Sequence, residues 1–221
     1  NDNTTAEGTG GSTSAFTFII SLSSNDETFD LVVNTMDGTA NSGSDYNALT
    51  NVMSSFTSGG VLNNTVVVTV NHDNMVEANE TFTVELSGAP EGIIIADPSG
   101  LGTITNDDAA VVTLTGTTSQ AEGTSFTFTA TLNNPVQGGF NVAYTTNNGT
   151  ATVADNDYTD NDGSLAFAGT AGESHTITVN TTTDIKVELN ETFTVALGAI
   201  TGAPAGVTTA GSPQIGNILN D

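Results

Sequence analysis

The sequence predicts an all-β chain of two tandem sandwich domains, and three observations predict it. Apolar and polar residues alternate over many short runs, as at Phe16, Phe18, Ile20 and Leu22. That is the pattern of a strand with one buried face. The composition is rich in Thr, Asn, Ser, Val and Gly, with 24 glycines and no tryptophan in 221 residues, which suits strands and turns rather than helices. Finally, the chain repeats itself once along its length.

The repeat is carried by matching runs in matching order. Ala6-Glu7-Gly8-Thr9, a Gly/Ser-rich insertion and Phe16-Thr17-Phe18 correspond to Ala121-Glu122-Gly123-Thr124 and Phe126-Thr127-Phe128. Asp73, Glu77, Asn79 and Glu80-Thr81-Phe82-Thr83-Val84 correspond to Asp184, Glu188, Asn190 and Glu191-Thr192-Phe193-Thr194-Val195. The closing run Asn106-Asp107-Asp108 has its counterpart in Asn220-Asp221. The domains are therefore expected at residues 1–108 and 109–221.

Strands follow from the alternation. In the first copy they carry Phe16 to Leu22, then Phe29, Leu31 and Val33, then Val66, Val68 and Val70, then Phe82, Val84 and Leu86. The second copy gives Phe126, Phe128, Ala130 and Leu132, then Phe140, Val142 and Tyr144, then Ile177 and Val179, then Phe193, Val195 and Leu197. About six or seven short strands per hundred residues indicate an immunoglobulin-like sandwich of two sheets. Val111 to Thr115 reads as an opening strand of the second copy. The first copy has no such run before Glu7, so its opening strand is expected to be missing, cut away or supplied by another chain.

Charge narrows the partners. Against 25 Asp and Glu stands one base, Lys186, for a formal net charge of −24. Nucleic acid and anionic membranes need Lys and Arg and are excluded as partners. No run is long and apolar enough for a transmembrane helix, so no direct membrane insertion is expected. Uncompensated carboxylates repel and either spread through solvent or gather around a cation. With no cysteine there is no disulfide framework, and metal is a common substitute. The chain reads as a mature form or excised piece of an exported protein, extracellular and at the cell surface.

An early Glu-Gly, Asp37-Gly38-Thr39-Ala40 with Ser44-Asp45-Tyr46, the Glu-Thr-Phe strand and the closing acidic run are together similar to Calx-beta domains. Asn148-Gly149-Thr150-Ala151 and Asn156-Asp157-Tyr158 repeat the middle motifs. Such modules occur in sodium–calcium exchangers, an integrin cytoplasmic region and large bacterial surface proteins. The resemblance implies a calcium cluster at one end of each sandwich. Its ligands would be Glu7, Asp37, Asp73, Glu77, Asp107 and Asp108 in the first copy. In the second they would be Glu122, Asp184, Glu188 and Asp221, with Asn148 as a neutral oxygen donor. Calcium takes six to eight oxygens, whereas magnesium demands a tight octahedron; zinc is disfavoured by the lack of cysteine.

The remaining residues are expected to be structural. Tyr46 and Tyr158 anchor loops, His72 and His175 are exposed with His72 flanking the cation site, and Lys186 partly replaces a cation. Glu77 with Glu80, or Asp155 with Asp157, would make poor hydrolase pairs beside so few aromatics. The Gly8 to Ser12 run lacks the lysine of a phosphate loop. The chain is thus read as no enzyme. The expected function is a structural, calcium-binding repeat of a bacterial adhesin or stalk, in which calcium stiffens the joint between neighbouring repeats. The alternative is a filament or surface-layer subunit, a homopolymer formed by strand exchange. A third reading, a calcium sensor, is disfavoured by the lack of a basic partner surface.

Overall fold

The computed structural model describes residues 1–220. It divides into two compact units, residues 1–74 with 78–108 and the chain from Ala109 onward with Met75–Glu77. Both are all-β immunoglobulin-like sandwiches.

In the first unit the strands are β1 (Asn3–Ala6), β2 (Thr13–Ser21), β3 (Phe29–Asp37), β4 (Tyr46–Asn47), β5 (Val52–Phe56), β6 (Asn63–Asn71), β7 (Glu80–Ser87) and β8 (Ser99–Thr105). One sheet has the order β1-β8-β7-β3-β5 and the other β2-β6-β4. Every pairing is antiparallel except that of β1 with β8, where Asn3 lies opposite Gly102 and Ala6 opposite Thr105. Alternate residues of β2, β3, β6 and β7 face inward, which buries Phe16, Val33, Val68 and Phe82 completely. The Phe82 ring is the hub. It packs edge-on to Phe16 at 5.5 Å and stacks on Tyr46 at 4.6 Å, geometries that suit aromatic quadrupoles.

The second unit contains β9 (Ala110–Gly116), β10 (Ser119–Ala121), β11 (Ser125–Leu132), β12 (Phe140–Asn148), β13 (Gly163–Phe167), β14 (Ser174–Asn180), β15 (Glu191–Thr201), β16 (Val207–Ala210) and β17 (Gln214–Leu219). Its sheets have the orders β10-β17-β15-β12-β13 and β14-β11-β9-β16. Phe193 repeats the hub, edge-on to Phe126 at 5.1 Å and stacked on Tyr158 at 4.9 Å. Val76, from the short Met75–Glu77 segment of this unit, is fully buried in its core. Its N–H donates to Pro135 O (3.0 Å), and Gln137 N–H donates to Val76 O (2.9 Å).

β1 and β10 are equivalent short strands, each parallel to the last strand of its unit. The Val111–Thr115 run forms β9, and among the described residues the first copy has no counterpart of it. The glycine of the Asp/Asn-Gly-Thr-Ala run has one reason in both units. A Cβ at Gly38 would sit 2.4 Å from Thr81 O, and one at Gly149 2.4 Å from Thr192 O. The loop therefore crosses its neighbouring strand at a distance only glycine permits.

Candidate metal centre

The site in each unit is built where strands end, so residues remote in sequence converge. In the first unit Glu7 follows β1, Asp73 follows β6 and Asp108 follows β8. Glu7 N–H donates to Thr105 O (2.9 Å) and Gly10 N–H to Asp73 O (2.8 Å), which fixes both loops. Carboxylate oxygens of Glu7, Asp73 and Asp108 all lie within 4.8 Å of one another. Glu7 and Asp108 are buried, at 4% and 7% exposure, a costly placement for charge without compensation. Asp108 Oδ2 is buried and has no hydrogen-bond partner. Burial, then the charges of Asp107 and Asp73, raise the Asp108 carboxyl above its ordinary value. A hard cation among these oxygens would satisfy the orphaned atom and offset the repulsion. The donor set therefore fits calcium.

The other expected ligands of the first unit are placed differently. Asp107 Oδ1 accepts from Gly8 N–H at 3.0 Å and so caps the Gly8 turn. Asp37 Oδ1 accepts from Tyr46 OH (2.5 Å) and Ser42 N–H (2.9 Å). The tyrosine hydroxyl is the leading cause that holds Asp37 below the ordinary carboxylate range, while burial and Asp37 push Tyr46 up to about 12. Glu77 belongs to the second unit, where Gln137 Nε2 donates to its Oε1 at 3.3 Å.

In the second unit Asp157, Glu188 and Glu191 bring oxygens within 4.8 Å of one another. They line a cavity of about 20 Å³ together with Glu122, Asp184 and Asn220. That is space for one water-sized or ion-sized occupant. Asp184 N–H donates to Glu122 Oε2 at 3.4 Å, Lys186 N–H to Asp184 Oδ1 at 2.7 Å, and Glu188 N–H to Asn220 Oδ1. Burial, then Asp157, pushes the Glu191 carboxyl up to about 7. Lys186 Nζ reaches Asp184 and Glu188, each at 3.5 Å. Asn148 repeats the Asp37 geometry, its Oδ1 accepting from Tyr158 OH (2.7 Å) and Val153 N–H (3.2 Å). Asp221 lies outside the described residues.

Asp157 and Glu191 were missed as site residues by sequence reasoning. Their signal was present, since Asp45 and Glu80 occupy the same motif positions in the first unit and likewise approach within 4.8 Å. The histidines also differ from expectation. The His72 ring fills the space beside Gly8, and its Nε2 is buried. His175 is half-buried, edge-on to Phe167 at 4.6 Å, with Nε2 2.9 Å from Glu173 Oε1.

The Calx-beta domain profile matches residues 2–108 and again 105–219. The chain belongs to the Calx-beta family. Calx-beta domains are calcium-binding modules without catalytic function, so this is a tandem calcium-binding repeat and no enzyme. Among solved structures, CBD12 from CALX1.2 is 20% identical over 99% of this chain and 96% of that one, with a TM-score of 0.45. The calcium binding domain CBD12 of CALX1.1 is 18% identical over 100% and 97%, with a TM-score of 0.46. The apo Calx CBD1 domain is 21% identical over 50% of this chain and 97% of that one, with a TM-score of 0.43. No curated protein matches the chain. The expectation of a piece of a bacterial adhesin is thereby corrected: the similar structures are CALX calcium-binding domains, and nothing in the Calx-beta match carries an adhesin context. No helix of the described residues is long and apolar enough to cross a membrane.

Proposed function

We propose that each module holds calcium at its acidic pole, through Glu7, Asp73 and Asp108 in the first and through Glu122, Asp157, Asp184, Glu188 and Glu191 in the second. The observation that carries this reading is the buried, partnerless Asp108 Oδ2 beside two further carboxylates. Calcium there would tie the closing acidic run to the start of the module and to the Asp73 loop. Asp108 leads by one peptide bond into Ala109, so fixing it stiffens the joint between the modules. The function is then mechanical, a repeat whose rigidity depends on calcium. The lack of cysteine and the near-lack of bases support a setting outside the cell.

Thermal unfolding of the chain in excess chelator, in calcium and in magnesium tests the reading. A ligand bound only to the folded state adds about 2.7 kcal/mol at a hundredfold excess over Kd. Calcium alone is expected to raise Tm by several degrees and to slow motion of Asn106–Ala109 in amide relaxation. Equal Tm in chelator and calcium would refute binding. A raised Tm with unchanged relaxation would refute the stiffened joint alone.

A further inference from the structure

The loop after β12 is built like the loop after β3, around an acceptor of different chemistry. In the second module Asn148 ends β12, and its Oδ1 accepts from Tyr158 OH (2.7 Å) and Val153 N–H (3.2 Å). In the first, Asp37 ends β3, and its Oδ1 accepts from Tyr46 OH and Ser42 N–H. The match extends to a second carboxylate in each loop. Asp157 Oδ2 accepts from Thr152 N–H at 2.7 Å, and Asp45 Oδ2 from Asn41 N–H at 2.6 Å. The first module thus shows that a carboxylate fits the position Asn148 occupies.

Asn148 is also placed to become one. Among the chain's asparagines it alone precedes a glycine. Gly149 has no Cβ to shield its backbone nitrogen, and the close approach to Thr192 O demands glycine there. Asn148 and Gly149 are both exposed, so water can enter and ammonia can leave. The two hydrogen bonds on Oδ1 draw electrons from Cγ. They also stand ready for the negative charge that gathers on Oδ1 when a nucleophile adds to Cγ, which is the work of an oxyanion hole.

We propose that Asn148 is a self-modification site, where the Gly149 nitrogen attacks Asn148 Cγ and water then completes the conversion of the side chain to aspartate. In the first step Gly149 N–H gives its proton to a solvent base. A bond forms from Gly149 N to Asn148 Cγ, and Nδ2 takes up a proton and leaves as ammonia. The product is a cyclic imide. In the second step water adds to a carbonyl of that ring. Addition at Cγ breaks the new Cγ–N bond, returns a proton to Gly149 N and leaves a carboxylate. Addition at the main-chain carbonyl would instead give isoaspartate, with the backbone routed through Cγ. Tyr158 and Val153 hold the oxygen on Cγ, so both steps are assisted at the same carbon and normal aspartate forms. The balance is water consumed and ammonia released. Asp37, held below the ordinary carboxylate range by Tyr46, is ionised and resists the same attack. The change therefore runs one way, towards the chemistry of the first module's loop.

The test incubates the full chain for weeks in neutral buffer, folded and in urea. Peptide mapping by mass spectrometry reads the exchange of amide for acid, and an aspartate-specific endoprotease separates aspartate from isoaspartate. In the folded chain Asn148 is expected to convert mainly to aspartate while its neighbour Asn147 stays intact. In urea, where nothing holds Oδ1, isoaspartate should dominate. Tyr158→Phe keeps the ring that stacks on Phe193 and loses the hydroxyl. It is expected to slow conversion about tenfold or more and to shift the product towards isoaspartate. A melting curve checks that this variant is folded, and Tyr46→Phe, the same change in the first module, should leave conversion at Asn148 untouched. Asn148→Asp is expected to fold and to co-elute with the aged chain on anion exchange. An Asn148 that stays intact in the folded chain would overturn the proposal, as would the same product ratio with and without urea. So would an undiminished rate in folded Tyr158→Phe, an equal slowing in Tyr46→Phe, or an Asn148→Asp chain that does not fold.

Discussion

At Asp108 a carboxylate is buried beside two others with one oxygen unpartnered. In chelator that arrangement is repulsive, and in calcium it is a ligand set. Asp108→Asn is therefore expected to raise Tm in chelator and to lower it in calcium, with calcium affinity reduced roughly tenfold, since ligand charge tunes affinity. Melting curves in both media check the crossing, and a shift of the same sign in both would refute it. Glu173 shows the opposite case, a carboxylate satisfied by the protein itself. It accepts from Ala168 N–H (2.9 Å), Gly169 N–H (3.0 Å) and His175. Burial would raise its pKa, but these donors, Ala168 first, outweigh burial and lower it from 4.5. The stability it contributes is present above pH 4.5 and is lost as pH falls through its depressed value. Glu173→Ala is expected to cost about 1.5–3 kcal/mol at neutral pH, the usual range for bonds to a charged group. Urea unfolding at pH 7 and pH 3 measures the loss, which should shrink at the lower pH.

At the scale of the element, the strand β15 begins with Glu191, and the loop before it carries Glu188. The loop between β12 and β13 brings Asp157 to them. The Glu191 carboxyl, at about 7 when folded and 4.5 ordinarily, stabilises the second module fully below pH 4.5. That contribution disappears as pH rises to about 7. Without calcium, the second module's Tm is thus expected to fall across that window. With calcium the proton must leave, so affinity should weaken below pH 7 and binding should release protons. Calorimetric titrations in two buffers of different ionisation enthalpy count them, and none released near pH 6 would refute the coupling. These strand ends also show what the sequence can and cannot reveal. The alternation along β2, β7, β11 and β15 is a property of neighbouring residues and was legible. The meeting of Asp157 with Glu191 depends on where a loop folds back, and no local pattern contains it. Asp37 and Asn148 were assigned to the cation by family position; the hydrogen bonds they accept from Tyr46 and Tyr158 were not legible in the sequence.

For the whole molecule, charge is the dominant uncompensated term. With −24 on 221 residues, the folded state concentrates like charge that the unfolded chain spreads out. Raising monovalent salt from about 0.01 M to about 0.1 M shortens the screening length from ~30 Å to ~10 Å. In chelator this is expected to raise Tm, and in saturating calcium the increase should be smaller. Differential scanning calorimetry over the salt series checks both, and a salt-independent Tm in chelator would count against charge as the limiting factor. The duplication itself was plain in the sequence, because Glu80-Thr81-Phe82 and Glu191-Thr192-Phe193 build the same aromatic hub. The unequal strand complement was only half legible. The run at Val111 announced β9, but β1 was too short and too polar to be seen beforehand.

The hydroxyls of Tyr46 and Tyr158 each clasp one side-chain oxygen, from Asp37 in one module and Asn148 in the other, at 2.5 and 2.7 Å. Either side chain closes the clasp, so its shape is indifferent to whether the acceptor is ionised. That position works as a dial for the electrical character of its loop, one elementary charge per turn, and the clasp does not register the setting.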